Sequence, residues 1–150
     1  MIGPYDLEIV EIEIDSGLYA RAKELRYRTL YAEMGLSRTL VEDADAGTYR
    51  HLIAIADTEV VGYGRIRMVE DPPKIFQVCV AEAHRKRGIG AALVKTLEEI
   101  ARDDGRTDVI LDARSHAVGF YELLGYVMYG PEFLSERTNT PHRKMRRTLR

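Results

Sequence analysis

The chain opens with two stretches whose apolar residues repeat at different periods. Residues 7–14 alternate apolar and acidic side chains, which predicts a strand. Asp15 and Ser16 can then cap a helix. Apolar side chains recur at helical spacing from there to Met34, and Gly35 follows. The two patterns therefore predict a strand followed by a helix that ends at Gly35.

Polar breaks divide the middle of the chain into further strands. Residues 42–47, EDADAG, predict a polar loop. Residues 51–56 and 60–69 are rich in apolar side chains on either side of a short polar turn, which predicts a hairpin. Two prolines after Asp71 interrupt the pattern, and residues 74–81 predict another strand with many β-forming side chains.

The clearest helical pattern of the chain begins at Ile89 and ends before Gly105. Its apolar positions recur at helical spacing and predict a buried stripe, whereas the positions between them predict a face in water. The stripe consists of Ile89, Ala92, Leu93, Thr96, Leu97, Ile100 and Ala101. The face predicted to meet water consists of Lys95, Glu98, Glu99, Arg102 and Asp103.

Shorter elements complete the chain. Residues 108–113 predict a buried strand, and residues 117–124 predict a short helix that Gly125 ends. Residues 126–129 and 141–149 predict two more strands, of which the last is heavily charged. The predicted order β-α-β-β-β-α-β-α-β-β is that of an α/β sandwich around a mixed sheet.

The composition limits the classes of protein and of site. Of the 150 residues, 45% are hydrophobic and 31% charged, and neither repeats nor a linker divide them, so we expect a single domain over residues 1–150. Lys and Arg number 22 against 24 Asp and Glu, which disfavours a nucleic-acid partner. Cys79 is the one cysteine and no histidine pair has metal-ligand spacing, so neither a disulfide nor a metal is expected.

The N-terminal sequence and the hydropathy bear on location. The first residues, MIGPYDLEIVEIEI, contain neither a basic leader nor a long apolar core, so no signal peptide is expected. No stretch approaches the roughly 18 apolar residues of a membrane helix. We therefore expect no membrane partner and a cytoplasmic location.

One stretch, AHRKRGIGAALV at residues 83–94, places three cations directly before two glycines at a predicted helix start. Helix N-termini attract anions because several backbone N–H groups there lack partners. Gly88 and Gly90 leave room for a phosphate near the backbone, so the stretch predicts a cradle for a diphosphate. The alternative is a charged turn whose glycines only permit tight packing. The stretch matches neither GxGxxG nor the P-loop pattern, which disfavours a dinucleotide cofactor and ATP.

Two motifs resemble the signatures of the GNAT superfamily of N-acetyltransferases. Arg85-x-x-Gly88-x-Gly90, after a predicted strand, resembles the acetyl-CoA signature Q/R-x-x-G-x-G/A. FYELLGY at residues 120–126 resembles the second signature FY-x-x-x-GF, with Tyr126 in place of the usual phenylalanine. The resemblance implies an α/β GNAT (acyl-CoA N-acyltransferase) fold, which is a mixed, mostly antiparallel twisted sheet flanked by helices on both faces.

Four further segments resemble the small bacterial ElaA-like subgroup of this superfamily. They are LRYRTLYAEMG (25–35), RHL (50–52), ARSHAVGFYELLGY (113–126) and TPHRKM (140–145). The chain departs from the subgroup where Tyr31 to Met34 replace a VVEQ-like run and where Thr140 replaces the isoleucine of Ile-Pro-His. We expect these departures to bear on substrate choice.

The resemblance also implies a co-substrate, acetyl-CoA, and residues that contact it. The backbone of Val78, Cys79 and Val80 is expected to hydrogen-bond the pantetheine arm where the neighbouring strand diverges. The residues implied around the diphosphate are Arg85, Lys86, Arg87, Gly88, Ile89, Gly90 and Ala91. The alternative role for Cys79 is a covalent nucleophile. No residue near it in the sequence would activate it, so we expect a buried strand residue.

Acetyl transfer to an amine needs a neutral amine, a stabilised oxyanion and a proton for the leaving thiolate. An alkyl amine has a pKa near 10.4, so only about one part in 10³ is neutral at pH 7. A carboxylate or a water chain is expected to take its proton. By resemblance, Tyr121 is the acid that protonates the CoA thiolate, and the alternative is a core aromatic whose hydroxyl is satisfied. Direct attack within a ternary complex is the implied mechanism.

Acidic side chains are the candidates for contact with the acceptor amine. Glu33 lies at the end of the first predicted helix, which covers the acceptor pocket in the fold that the chain resembles. Glu42, Asp43 and Asp45 form an acidic loop that can attract a cationic amine. The alternative is a solvated loop without a role. Arg114 occupies a position where the superfamily often has asparagine, and we assign it no role.

The sequence thus predicts an acetyl-CoA-dependent N-acetyltransferase whose acceptor is a small-molecule amine or a peptide or protein amine. Two alternatives stay open, a non-catalytic CoA-binding sensor or interaction module and an acyltransferase that uses another acyl-CoA. A homodimer is the candidate assembly. His51, His116 and His142 are isolated in the sequence, and we expect structural roles for them.

Overall fold

The computed structural model describes residues 6–149, and its centre is one seven-stranded sheet. The strands are β1 (Leu7–Ile12), β2 (Tyr49–Ala56), β3 (Glu59–Arg67), β4 (Lys74–Val80), β5 (Asp108–Arg114), β6 (Val127–Leu134) and β7 (Pro141–Thr148). They lie in the order β1-β2-β3-β4-β5-β7-β6. Every neighbouring pair is antiparallel except β4 and β5, which are parallel. The mixed, mostly antiparallel sheet predicted above is confirmed.

Helices cover both faces of this sheet. Within residues 6–149 the α-helices are α1 (Gly17–Arg26), α2 (Ile89–Asp103) and α3 (Val118–Leu123). α1 buries Tyr19, Ala22 and Leu25 against one face. Five residues of the α2 stripe and Tyr121 of α3 belong to the core on the other face; the five are Ile89, Leu93, Leu97, Ile100 and Ala101. The order of strands and helices and their two-sided arrangement agree with the prediction.

The first helix changes type before it reaches Gly35. Ser16 caps α1, as predicted, because its hydroxyl accepts a hydrogen bond from the Leu18 N–H at 3.1 Å. The regular helix ends at Arg26, and a π-helical turn over Tyr27–Tyr31 follows. A wider turn displaces side chains from the register of an ideal helix. The prediction of one helix to Met34 was therefore wrong in its geometry, although the segment stays helical until Gly35 at φ +68°.

One side chain of α2 lies on the opposite side from the prediction. Glu98 was assigned to the face in water, but it is only 1% exposed. Arg147 on β7 and Tyr126 before β6 both hydrogen-bond to its carboxylate. The periodicity of α2 carries no information about these distant partners. From the periodicity alone, Glu98 is therefore predicted to face water.

β6 is longer than its sequence pattern indicated. The predicted strand ended at Tyr129, whereas β6 continues to Leu134. Gly130 and Pro131 interrupt the β pattern at that point, and the pairing of β6 with β7 shifts register between Tyr129 and Phe133. The strand therefore continues through a bulge with Gly130 at φ +72°, at a point where the sequence pattern predicts a turn.

Candidate functional site

The sheet opens between its two parallel strands. β4 and β5 pair only where Lys74 meets Ile110 and Ile75 meets Leu111. Beyond these residues the described sheet has no pairing between β4 and β5, so the end of β4 that contains residues 78–80 runs beside a gap. The divergence that the family resemblance implied at these residues is present.

A bulge in β4 lies at the start of this opening. The pairing of β3 with β4 shifts register between Tyr63 and Arg65. Gln77 has a φ of +56°, a backbone conformation that residues with a side chain rarely adopt. Beyond the bulge, Cys79 points into the α1 side of the sheet, and Val78 and Val80 lie against the core on the α2 side.

The turn after β4 leads directly to the N-terminus of α2. Lys86 and Gly88 both have positive φ, at +62° and +81°, and α2 begins at Ile89 and runs for 15 residues. A β-carbon added at Gly88 would meet no atom within 4 Å, so the space in front of the helix is open there. An open helix N-terminus with cations beside it can accept an anion.

Glycine is favoured at the two positions of the turn for different physical reasons. Gly88 adopts a left-handed conformation that strains other residues. Gly90 has a close neighbour, since an added β-carbon would lie 3.3 Å from Cζ of Phe120 on α3. Of the two predicted explanations, tight packing therefore applies to Gly90, while Gly88 borders free space.

The cations before the glycines are not equivalent. The Arg85 Nε donates to the carbonyl oxygen of Val80 at 3.1 Å and so ties the turn to the end of β4. Lys86 and Arg87 are exposed at the start of α2. Arg85 consequently orders the turn, and all three residues place positive charge beside the helix N-terminus.

A small cleft lies next to this turn. Its volume is about 190 Å³, and its lining includes Thr29 and Glu33 from the segment after α1 and Ala81, Glu82 and Arg85 from the end of β4. The exposed carboxylate of Glu33 therefore shares a cleft with the end of the strand that borders the opening. Of the predicted acceptor-side residues, Glu33 is the one that lies there.

Tyr121 on α3 lies on the α2 side of the sheet, 9% exposed. Its ring makes edge contacts with Phe120 and Tyr126, at centroid distances of 4.9 and 5.7 Å. Burial raises the pKa of Tyr121 well above its ordinary value, and the nearby Cys79 thiol raises it further. The hydroxyl is thus protonated at neutral pH and lies close to a residue of the opening.

Cys79 is buried and keeps its proton. Burial raises the pKa of its thiol to about 11, even though a hydrogen bond with Thr29 acts in the opposite direction. A thiol rather than a thiolate is a poor nucleophile. The environment therefore fits the expectation of a buried strand residue.

The acidic loop is mostly neutralised by cations, and this corrects the view of it as a free acidic surface. The Asp43 side chain is 5% exposed, and its Oδ2 lies 2.7 Å from Arg26 Nη2 and 2.6 Å from Arg65 Nη1. Burial alone would raise the pKa of Asp43, but the hydrogen bonds and charges of Arg65 and Arg26 outweigh it and lower the pKa. Asp43 therefore cannot attract an amine as an exposed charge.

The other two loop carboxylates stay at the surface. Glu42 pairs with Lys23 at 2.7 Å, and Asp45 accepts a hydrogen bond from the Tyr49 hydroxyl at 3.3 Å. Both are exposed, and an exposed pair adds little stability because water and salt screen it.

A polar network that the sequence analysis missed links α1 to the bulge. The Arg26 Nε donates to Gln77 Oε1 at 2.7 Å, and the Gln77 Nε2 donates to the Tyr31 hydroxyl at 3.2 Å. Arg26 is fully buried, and Arg65 is 1% exposed. The sequence signal for this network was a charged residue, Arg26, next to the apolar positions of α1. Its partners could not be predicted, because they come from β4 and from the loop after α1.

Arg114 and His51 have structural partners. The Arg114 Nη2 donates to the Leu30 carbonyl oxygen at 2.8 Å, which joins the end of β5 to the turn after α1. His51 is buried, and its Nε2 donates to the Ala46 carbonyl oxygen at 2.8 Å while its Nδ1 accepts from the Tyr63 hydroxyl at 2.6 Å. Burial lowers the pKa of His51, so the ring is neutral.

Comparison with known proteins identifies the family. The sequence profile described as "Acetyltransferase (GNAT) domain" matches residues 19–149. The chain therefore belongs to the GNAT acetyltransferase family, as its two motifs indicated.

Solved structures agree with this assignment. Escherichia coli ElaA superposes with a TM-score of 0.77 at 28% identity, covering 94% of this chain and 99% of ElaA. An aminoglycoside 6′-N-acetyltransferase complexed with coenzyme A superposes with a TM-score of 0.75, covering 94% of this chain and 96% of that protein. Its identity is 19%, so this second likeness shows the fold alone. The predicted GNAT fold and the resemblance to ElaA are confirmed.

Two relatives from Bacillus subtilis match over part of their length. The uncharacterized N-acetyltransferase YjcF is 38% identical over 96 residues, which are 63% of this chain and 67% of YjcF. The uncharacterized protein YyaT is 34% identical over 93 residues, which are 62% of each chain. The matched part thus spans less than two thirds of YyaT.

No helix within residues 6–149 is long and apolar enough to cross a membrane. In the same part of the chain, no three side chains among His, Cys, Asp and Glu come together in a way that could hold a metal ion.

Proposed function

We propose that the chain, acting as one acetyltransferase domain, transfers an acetyl group from acetyl-CoA to the primary amine of an acceptor by direct attack in a ternary complex. The observation that carries this proposal is the opening between β4 and β5, which adjoins an open helix N-terminus and a protonated tyrosine. The opening can hold the thioester arm, the helix N-terminus can bind the diphosphate, and the tyrosine can protonate the leaving thiolate.

The co-substrate is proposed to bind along β4 and the turn that follows. Its diphosphate lies at Gly88 and the first residues of α2, where open space, unpaired backbone N–H groups and three cations coincide. Its pantetheine arm is proposed to follow residues 78–80, where β4 has no described pairing with β5 and the Val80 carbonyl oxygen accepts a hydrogen bond from Arg85. The same backbone can donate to the oxyanion that forms at the thioester carbonyl.

Tyr121 is proposed as the general acid. The neutral amine nitrogen attacks the thioester carbonyl, and the carbon–sulfur bond breaks as the amide bond forms. The thiolate takes the hydroxyl proton of Tyr121, and the proton that the nitrogen loses passes to water, from which the Tyr121 phenolate is reprotonated. A site that raises the pKa of Cys79 to about 11 by burial destabilises thiolates in general, so the leaving sulfur gains a strong affinity for a proton. The Tyr121 hydroxyl carries its proton at neutral pH, and the burial that raises its pKa also raises the affinity of a thiolate beside it for a proton.

The acceptor is proposed to approach from the cleft beside β4. The cleft is lined by two carboxylates and two guanidinium groups, those of Glu33, Glu82, Arg28 and Arg85. The exposed Glu33 carboxylate is the group proposed to pair with a cationic amine. Glu42 and Asp45 lie at the surface of the acidic loop and add negative potential, whereas Asp43 takes no part because its charge is already paired. A small-molecule amine and a peptide or protein amine both satisfy this chemistry.

Thermal melts with separate ligands test the proposed co-substrate. At 100 times its dissociation constant a ligand stabilises the folded state by about 2.7 kcal/mol. We expect such a shift with CoA and with acetyl-CoA, and none with NAD, which carries a diphosphate but no pantetheine. No shift with either CoA species, or an equal shift with NAD, would contradict the proposal. Release of free thiol from acetyl-CoA over a panel of amines then identifies the acceptor class.

A further inference from the structure

A buried charged cluster lies directly behind Tyr121. Glu98 of α2 is 1% exposed, and both of its carboxylate oxygens are occupied. The Tyr126 hydroxyl donates to Oε2 at 2.7 Å, and the Arg147 Nη1 donates to Oε1 at 2.5 Å. Three segments that are distant in sequence therefore meet at one carboxylate.

The members of this cluster depend on one another. A buried carboxylate is costly unless it is paired and hydrogen-bonded, and here the cation and the hydroxyl supply both. Gly125 makes room for the cation, since an added β-carbon there would lie 3.1 Å from Arg147 Nε. Tyr126 stands where the second GNAT signature usually has phenylalanine. The hydroxyl of Tyr126 is thus a group that the usual phenylalanine lacks, and the buried Glu98 carboxylate accepts its hydrogen bond.

The cluster is connected to Tyr121 by two contacts. The Tyr126 N–H donates to the Tyr121 carbonyl oxygen at 3.0 Å. The two rings meet edge to face, with centroids 5.7 Å apart and planes at 75°. Phe120 contacts Tyr121 at 4.9 Å and lies close to Gly90 of α2. The orientation of the Tyr121 ring is therefore set by neighbours that are themselves fixed.

We propose that Glu98 and Arg147 are positioning residues that act through Tyr126 to hold the Tyr121 hydroxyl at the β4–β5 opening. This inference rests on the proposed function, in which Tyr121 is the acid. Without the hydrogen bond to Glu98, the Tyr126 ring gains freedom, and Tyr121 loses the neighbour that restricts it. Catalysis is sensitive to such displacement, because proton transfer requires hydrogen-bond distance between hydroxyl and thiolate.

A double-mutant cycle tests the inference. Tyr126→Phe removes one oxygen and restores the residue usual in the motif. We expect it to lower kcat by about three- to tenfold, the size of effect seen for contacting residues, with the dissociation constant of acetyl-CoA unchanged. In a Tyr121→Phe background the same substitution should change kcat by less than about twofold, since no hydroxyl remains to be positioned.

Two further variants separate positioning from loss of stability. Tyr63→Phe removes a buried hydroxyl of the same kind, which hydrogen-bonds to His51 at 2.6 Å on the other face of the sheet. It should lower the melting temperature as Tyr126→Phe does while kcat stays within about twofold. Arg147→Lys keeps a cation near Glu98 on a side chain that is 28% exposed, so it should fold and lose less activity than Tyr126→Phe.

The outcomes distinguish this inference from the function on which it rests. A wild-type chain that transfers no acetyl group, or a Tyr121→Phe variant with unchanged kcat, overturns both. If the wild type is active and Tyr126→Phe lowers kcat by the same factor in the wild-type and in the Tyr121→Phe background, only the positioning role is overturned. An unchanged kcat in Tyr126→Phe does the same.

Discussion

At the scale of single residues, Asp43 holds two buried cations in place on the α1 side of the sheet. One of its oxygens accepts hydrogen bonds from both Arg26 and Arg65, and Arg137 lies 3.5 Å from the other. Neither Arg26 nor Arg65 has appreciable contact with water. The interior retains these two guanidinium groups because both share the Asp43 carboxylate, which offsets one of the two positive charges, and because cation–π contacts to Tyr63 and Tyr49 stabilise them further.

Replacement of Asp43 by asparagine should therefore be severely destabilising. Removing one partner of a buried ion pair leaves an uncompensated charge and costs about 3–5 kcal/mol. Urea unfolding of Asp43→Asn should show this loss in the free energy of unfolding. Asp45→Asn, an exposed position in the same loop, is the matched control and should stay within about 0.5 kcal/mol of wild type.

The same residue gives stability a dependence on pH. Because the folded state lowers the pKa of Asp43 below the ordinary value of about 3.9, its contribution is complete above that value and is lost as the pH falls through the folded-state pKa. Melting temperatures measured from pH 7 down to pH 3 should fall less steeply for Asp43→Asn than for wild type. Parallel curves would show that Asp43 is not the group that titrates.

Residues such as Asp43 and Glu98 mark the limit of what the sequence could predict at this scale. Gly88 and Tyr121 could be proposed from the sequence because each belongs to a short motif in which the neighbours carry the information. The partner of Glu98, Arg147, lies 49 positions away, and the two cations at Asp43 come from α1 and β3. A local pattern records period and charge, but it cannot record which distant side chain compensates a charge.

At the scale of elements, the turn between β4 and α2 leaves the N-terminus of α2 open because of the conformation of one glycine. Gly88 has positive φ and borders free space, while Arg85 binds the turn to β4 through the Val80 carbonyl oxygen. The helix dipole and the N–H groups of the first turn of α2 therefore face a volume that an anion can occupy.

Two substitutions of equal shape at Gly88 test this element. Asparagine and aspartate both tolerate a left-handed backbone better than most residues, so Gly88→Asn and Gly88→Asp should fold alike. Aspartate should even favour the helix by about 0.3–1 kcal/mol through the dipole. A negative charge near the diphosphate should nevertheless weaken CoA binding by about tenfold or more relative to asparagine, and added salt should reduce the difference.

Isothermal titration with CoA at two salt concentrations measures both effects. Equal dissociation constants for the two variants would mean that the diphosphate lies elsewhere. A difference that persists unchanged at high salt would point to a change of backbone shape instead of charge.

The sequence predicted the elements better than their irregularities. It placed the strands and α-helices of residues 6–149 in order, because long periodic segments carry that signal. It missed the π-helical turn at Tyr27–Tyr31 and the bulge at Gln77. Both depend on contacts across the fold, since the Gln77 side chain is held by Arg26 and Tyr31 and the turn is tied to β5 by Arg114. These irregularities border the proposed site.

At the scale of the whole molecule, the single parallel pair divides the sheet into two antiparallel halves that diverge. α2 and α3 bring the glycine turn and Tyr121 to one side of this opening, and the segment after α1 brings Glu33 to the other. The family resemblance predicted this divergence, but the hydrophobic pattern alone could not, because it specifies neither strand order nor register. The proposed acceptor cleft and the proposed co-substrate site would thus adjoin at Arg85, which lines the cleft and belongs to the turn before α2.

The central claim is that Tyr121 gives its proton to the CoA thiolate within this opening. Tyr121→Phe removes one oxygen and keeps the ring that packs against Phe120 and Tyr126. Loss of a general acid costs about 10²- to 10⁴-fold in rate. Because the hydroxyl matters only as the thiolate develops, this loss should appear in kcat, while the affinity for acetyl-CoA and the melting temperature stay near those of wild type.

Thiol release from acetyl-CoA, followed for wild type and Tyr121→Phe under conditions in which chemistry limits the rate, tests this claim most directly. We expect a kcat lower by about 10²-fold or more in the variant, with an unchanged dissociation constant for acetyl-CoA. A variant within about threefold of wild type in kcat, a change too small for the loss of a general acid, would contradict the claim and return Tyr121 to the core as a packing residue.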